Sequence, residues 1–83
     1  MIIFKNQLQG GFYLITVKLQ DVLNRKGMAQ RELSRLTGIQ QPTINKICNG
    51  NITHISTVHL AVICEALDCE ITDILELKKE PSV

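Results

Sequence analysis

Between Gly38 and Gly50 the chain reads GIQQPTINKICNG, and within it Gln40, Gln41, Pro42, Thr43, Asn45, Lys46 and Asn49 sit beside Ile44 and Ile47. Amide, hydroxyl and ammonium groups give this stretch many hydrogen-bond donors and acceptors but no nucleophile paired with a base. Such chemistry recognises a surface and breaks no bonds. At 3.6 residues per turn Ile44 and Ile47 share one face, and Pro42, Asn45, Lys46 and Asn49 point away from it, with Gln41 and Thr43 at the edges and Gln40 at the head. Proline is tolerated in a helix's first turn, where its missing N–H costs nothing. Outward Gln, Thr and Lys suit the major groove of a duplex: Gln can pair with an adenine edge, Thr can offer hydroxyl or methyl to thymine, and Lys can meet guanine or phosphate.

A recognition helix needs a frame. Upstream, QRELSRLTG places Leu33 and Leu36 one turn apart and ends at Gly38, which predicts a second helix with both leucines inward. Gly38 permits the positive φ that turns the chain within about four residues, small Ser34 permits a close crossing, and Ile39 closes the inside of the corner. Leu33, Leu36, Ile44 and Ile47 are then expected to lock the crossing angle. Before it, LQDVLNRKG carries Leu19, Val22 and Leu23 as a stripe, with Arg25 and Lys26 at the negative end of the dipole and Gly27 as terminator. After it, STVHLAVICEALD has Ser56 as cap and Leu60, Ile63, Cys64 and Leu67 as the inner side, and ITDIL makes a short fifth helix. FYLITVK and LELKK have the β-branched or alternating character of strands, so the two ends either pair as a small sheet or fray.

Length and composition agree with this plan. A chain of 83 residues is one domain, and 45% hydrophobic residues with few aromatics imply a small aliphatic core. Net charge is +1 but unevenly spread. Residues 25 to 59 hold Arg25, Lys26, Arg31, Arg35 and Lys46 against Glu32, while the part from residue 60 onward carries six carboxylates against Lys78 and Lys79. A basic middle is compatible with a polyanion, or with an ordinary solvated face. Cys48, Cys64 and Cys69 form no CxxC pair, and no signal peptide or membrane-spanning run is present, so reduced thiols and a cytoplasmic location are expected. His59, Cys64 and Cys69 step by five and scatter around a helix, so no metal and no cofactor is expected. No paired carboxylates, P-loop or Cys and His arrangement indicates an enzyme.

QRELSRLTGIQQPTINKICNG resembles the Cro and C1 repressor class of helix-turn-helix DNA-binding domains, with Gln30, Glu32, Leu33, Gly38, Gln41, Ile44, Ile47, Asn49 and Gly50 at that family's intervals. HISTVHLAVICEALDCEITDIL resembles the rest of the fold, and the likeness spans roughly residues 18 to 78. It implies an all-α, five-helix lambda-repressor-like domain, residues 18–75, with its motif at 29–50. Residues 1–17 are then an N-terminal extension and candidate strand, and 76–83 a C-terminal strand or tail. By the same resemblance the residue matching Gln30 binds a backbone phosphate, that matching Gln41 touches bases, and those matching Thr43 and Lys46 meet bases or phosphates. The loop from Asn49 through Asn51 to Thr53 approaches phosphate. Arg31 and Arg35, one turn apart on helix two, are either phosphate contacts or surface solubilisers. His54 and His59 receive no role.

The chain departs from the family in having Ala29 and Gln40 where Ser or Thr usually caps the motif helices, and Ser34 where Ala is usual. The implied function is a transcriptional regulator, a repressor, that binds double-stranded DNA as a homodimer on an inverted repeat. Paired terminal strands, or Ile71, Ile74 and Leu75 of helix five, are candidate dimer surfaces. The alternative is an antitoxin or other protein-interaction module of the same fold, its acidic part holding a basic protein partner. One further expectation concerns the start. Glycine codons for Gly10 and Gly11 can spell a ribosome-binding sequence and a leucine codon can initiate, so either the natural protein begins near Leu14, with residues 1 to 13 as untranslated leader, or residues 1 to 13 belong to it.

Overall fold

The computed structural model describes residues 2–6, 11–50 and 52–80. Two strands, β1 (Ile2–Asn6) and β2 (Gly11–Val17), precede helices α1 (Leu19–Lys26), α2 (Gln30–Thr37), α3 (Gln41–Cys48), α4 (Thr57–Leu67) and α5 (Ile71–Ile74), and strand β3 (Leu75–Glu80) follows. The five helices lie where the apolar stripes and glycines place them. The two terminal segments do pair: β2 and β3 run antiparallel, from Val17 opposite Leu75 to Phe12 opposite Glu80. β1 adds a third strand on the other side of β2, which sequence reading did not anticipate.

Each helix boundary has a local cause. α1 stops because Gly27 takes the left-handed conformation, φ 65°, and the following Met28 N–H returns to the carbonyl of Leu23 at 2.9 Å. α4 starts on Ser56, whose side chain accepts from the His59 N–H at 3.3 Å. α5 has a capping box: Glu70 and Asp73 each satisfy the other's backbone N–H. The bundle and the sheet meet where the Lys18 N–H donates to the Ile74 carbonyl at 2.6 Å, which ties the entrance of α1 to the exit of α5.

One aliphatic core serves all five helices: Leu19, Val22, Leu23, Leu33, Ile39, Ile44, Ile47, Leu60, Ile63, Leu67 and Ile74. Val17 and Leu75, the strand residues nearest the bundle, pack against it. Three expectations need correction. Leu36, expected inward beside Leu33, is 49% exposed and sits at the rim of a groove against Val62 and Ala66 of α4. Leu33 already occupies the centre of a two-turn helix, and a residue sixty degrees around from it falls at the edge of the contact. Ile74 is fully buried, so of the apolar residues proposed on helix five only Ile71, 49% exposed, is substantially open. Cys64 is half-buried at the edge of the core, where full burial was expected.

Candidate nucleic-acid interface

The corner between α2 and α3 is held by short-range bonds. Gly38 has φ 77° and ψ 2°, and its N–H returns to the Ser34 carbonyl at 2.9 Å. The hydroxyl of Ser34 donates to the Ile39 carbonyl at 2.5 Å. Thr37 serves the same corner twice, donating to the Leu33 carbonyl at 2.8 Å and accepting from the Ile39 N–H at 3.2 Å. Beneath them Leu33, Ile39, Ile44 and Ile47 are buried. The side of α3 opposite its isoleucines therefore has no freedom to turn inward.

That side is open. Gln40, Gln41, Pro42, Asn45, Lys46 and Asn49 are exposed and Thr43 is half-buried. Neither motif helix has a side-chain cap, since Ala29 and Gln40 occupy cap positions with extended backbone and make no capping bond. In these first turns the Glu32 N–H donates to the Ala29 carbonyl and the Thr43 N–H to the Gln40 carbonyl, each at 3.0 Å, and Pro42 has no N–H, so the N–H groups of Gln30, Arg31 and Gln41 are the ones left for solvent or an anion.

The amides of this surface form a chain that reaches into α1. Asn49 Nδ2 donates to Asn45 Oδ1 at 3.0 Å, and Asn45 Nδ2 donates to Gln30 Oε1 at 3.3 Å. Gln30 Nε2 then donates to Gln20 Oε1 at 2.7 Å, and Gln20 Nε2 to Asn24 Oδ1 at 2.9 Å. Gln30, Asn45 and Asn49 are thus brought together. Gln20 and Asn24 were not anticipated, because their proximity to α2 arises only when the helices pack.

A hollow beside the C-terminal half of α3 collects Thr43, Lys46, Thr53, His54, Ser56 and His59. The Thr53 hydroxyl and His54 Nδ1 are 2.9 Å apart. Sequence reasoning placed Thr43, Lys46 and Thr53 in the site but left out both histidines, whose types alone gave no signal. Arg31 and Arg35 lie elsewhere, lining with Ala29 and Glu32 a separate shallow depression on α2. There Arg35 reaches Glu32 at 3.7 Å, an exposed i, i+3 pair of small energetic consequence. Asn51 lies outside the described residues.

Comparison with known proteins fits this geometry. A family model for the Cro/C1-type HTH DNA-binding domain matches residues 18–80. The chain is 32% identical over 66 residues to YozG, an uncharacterized HTH-type transcriptional regulator of Bacillus subtilis strain 168, covering 80% of this chain and 79% of that protein. The crystal structure of the transcriptional regulator VanUg superposes with a TM-score of 0.66 at 30% identity, over 82% of this chain and 89% of that one. A Bacteroides fragilis protein proposed to bind DNA shares the fold, with a TM-score of 0.67 at 21% identity, over 76% of this chain and 100% of that one. No helix among the described residues is long and apolar enough to cross a membrane.

Proposed function

Because the chain belongs to the Cro/C1-type helix-turn-helix family of DNA-binding transcriptional regulators, we propose that it is a sequence-specific repressor that inserts α3 into the major groove. The observation that carries this reading is the division of α3 into a buried Ile44 and Ile47 face and an open Gln41, Asn45, Lys46 and Asn49 face. Gln41 and Asn45 read base edges, and Lys46 meets guanine or phosphate. Gln30, the uncapped starts of α2 and α3, and the hollow holding Thr43 and Thr53 contact the phosphate backbone, which sets the register of the helix on the duplex. Gln40 and Pro42 face the groove at the head of α3. Arg31 and Arg35 add attraction from the flank.

One such domain makes few contacts, and a net +1 chain neutralises few phosphates, so the working form is a homodimer. Its two recognition helices enter successive major grooves about 34 Å apart on an inverted repeat. Ile71 and Leu77, exposed at 49% and 62%, provide apolar area for that pairing.

Selection of bound sequences from random duplex DNA tests the proposal. Enrichment of an inverted repeat is expected. Gln41→Ala combined with Lys46→Ala is expected to abolish the preference while circular dichroism and melting temperature stay unchanged. If the unaltered protein enriches no sequence, the fold serves a protein partner instead, and if the double variant selects the same sequence, α3 is not the element in the groove.

A further inference from the structure

We propose that Gln20, on α1 and outside the DNA-facing surface of α3, is a positioning residue for base recognition: through Gln30 it couples the amides of Asn45 and Asn49, so that neither turns over alone. The inference rests on the DNA-reading function of α3.

The five amides of Asn49, Asn45, Gln30, Gln20 and Asn24 are joined by four bonds of 2.7 to 3.3 Å, every one donated in the same direction, from α3 through α2 to α1. A side-chain amide has a donor end and an acceptor end, and rotating it by half a turn exchanges them. An isolated Asn on a helix surface makes that exchange at little cost. Here it cannot happen at one member alone. While Gln20 Nε2 donates to Asn24, Gln20 Oε1 faces Gln30, and Gln30 presents its NH₂ group to Gln20 and its carbonyl to Asn45. Asn45 must in turn offer its NH₂ to Gln30 and its carbonyl to Asn49. The chain therefore has two states, all forward or all reversed, and the α1 pair adds two bonds' resistance to any local flip.

Base reading depends on this order. An Asn or Gln recognises adenine by placing a donor and an acceptor at set positions, and the rotated amide offers the wrong pattern. Gln20 is half-buried and Asn24 exposed, both on α1, and their effect passes entirely through Gln30.

Two substitutions of opposite charge separate this role from electrostatics and from packing. Gln20→Glu keeps an acceptor toward Gln30 and so preserves the forward order, although its negative charge weakens binding to every sequence alike. Gln20→Lys offers only donors, which forces the Gln30 carbonyl toward α1 and reverses the order, although its positive charge strengthens binding to every sequence. The readout is the ratio of affinities for the selected operator and for scrambled duplex DNA, measured at one salt concentration, with melting temperatures confirming that both variants fold. The expected result is a ratio within about twofold of the original for Gln20→Glu and a fall of about tenfold or more for Gln20→Lys, the size of one lost bidentate contact. An unchanged ratio in the lysine variant, or an equal fall in both, overturns the positioning role while leaving the function of α3 standing. Absence of any preferred sequence for the unaltered protein overturns that function, and this inference with it.

Discussion

The Ser34 hydroxyl donates to the carbonyl oxygen of Ile39 across 2.5 Å, joining the body of α2 to the residue that leads into α3. Small size alone would let Ser and Ala serve equally at this position, but the bond gives the hydroxyl a task. Ser34→Ala leaves the carbonyl of a residue that is only 4% exposed without that partner. A net loss of about 1 kcal/mol is expected, the hydrogen-bond deficit being partly offset by the better helix propensity of alanine. Urea unfolding measures it directly. An alanine variant as stable as the parent would mean that the corner is held by apolar packing alone.

The first helix of the motif starts on a residue that cannot cap it. Ala29 has φ −81° and ψ 153°, close to the φ −66° and ψ 132° with which Ser56 caps α4. The backbone is thus already arranged for a cap, and Ala29→Ser is expected to raise stability by about 1 kcal/mol. Ala29→Asp is expected to stabilise similarly, yet to weaken DNA binding by bringing a carboxylate toward phosphate. Denaturant midpoints and DNA affinities measured on the same samples separate the two effects.

Gly38 isolates backbone strain from crowding. A methyl group added there would meet nothing within 4 Å, but the residue's φ is 77°. Gly38→Ala is expected to cost roughly 1 to 2 kcal/mol through conformation alone, lowering the melting temperature by roughly 4 to 8 °C per kcal/mol. Gly38→Asn, which tolerates this region better, is expected to lose less. Equal losses for the two would indicate that side-chain contacts, not torsion, decide the position.

Burial pushes the Cys48 thiol up from 9.0 to about 11. The unfolded chain then releases this proton at lower pH than the folded one, so its contribution to stability is intact below pH 9 and declines as pH rises toward 11. Cys48→Val removes the titration at nearly constant volume. Subtracting the variant's pH profile of urea midpoints from the parent's is expected to leave a decline confined to that interval, and a flat difference would place the thiol in contact with water. Cys69 is shifted the same way by its own burial and by the neighbouring Cys64 and Asp73, against the opposing charge of Lys26.

The helical frame was legible because it is written in local spacing. Leu19, Val22 and Leu23, or Leu60, Ile63 and Leu67, announce a buried stripe whatever surrounds them, and Gly27 and Gly38 mark ends that both take the left-handed conformation. Spacing finds the middle of a stripe but not its width, which is why Leu36 was misplaced. Ile74 belongs to a helix of four residues, too short to show a period. β1, IIFKN, begins with three apolar residues and lacks the alternation that makes a strand recognisable. The exposed groups of α3 followed from geometry once its inner face was known. Gln20 and Asn24 could not be found that way, because ten residues of sequence separate Gln20 from Gln30 and only tertiary packing brings their amides together.

The antiparallel match of Val17 with Leu75 joins segments at opposite ends of the helical region. Closing so long a loop costs entropy that only a preassembled body can lower, whereas the helices form from neighbours in sequence. The expected order of assembly is that the bundle collapses first, the Lys18 to Ile74 bond then draws in the returning chain, and the ribbon zips last. In the reverse direction the ribbon opens first, so amide protons of the β2 and β3 pairing are expected to exchange before those of α1 to α4.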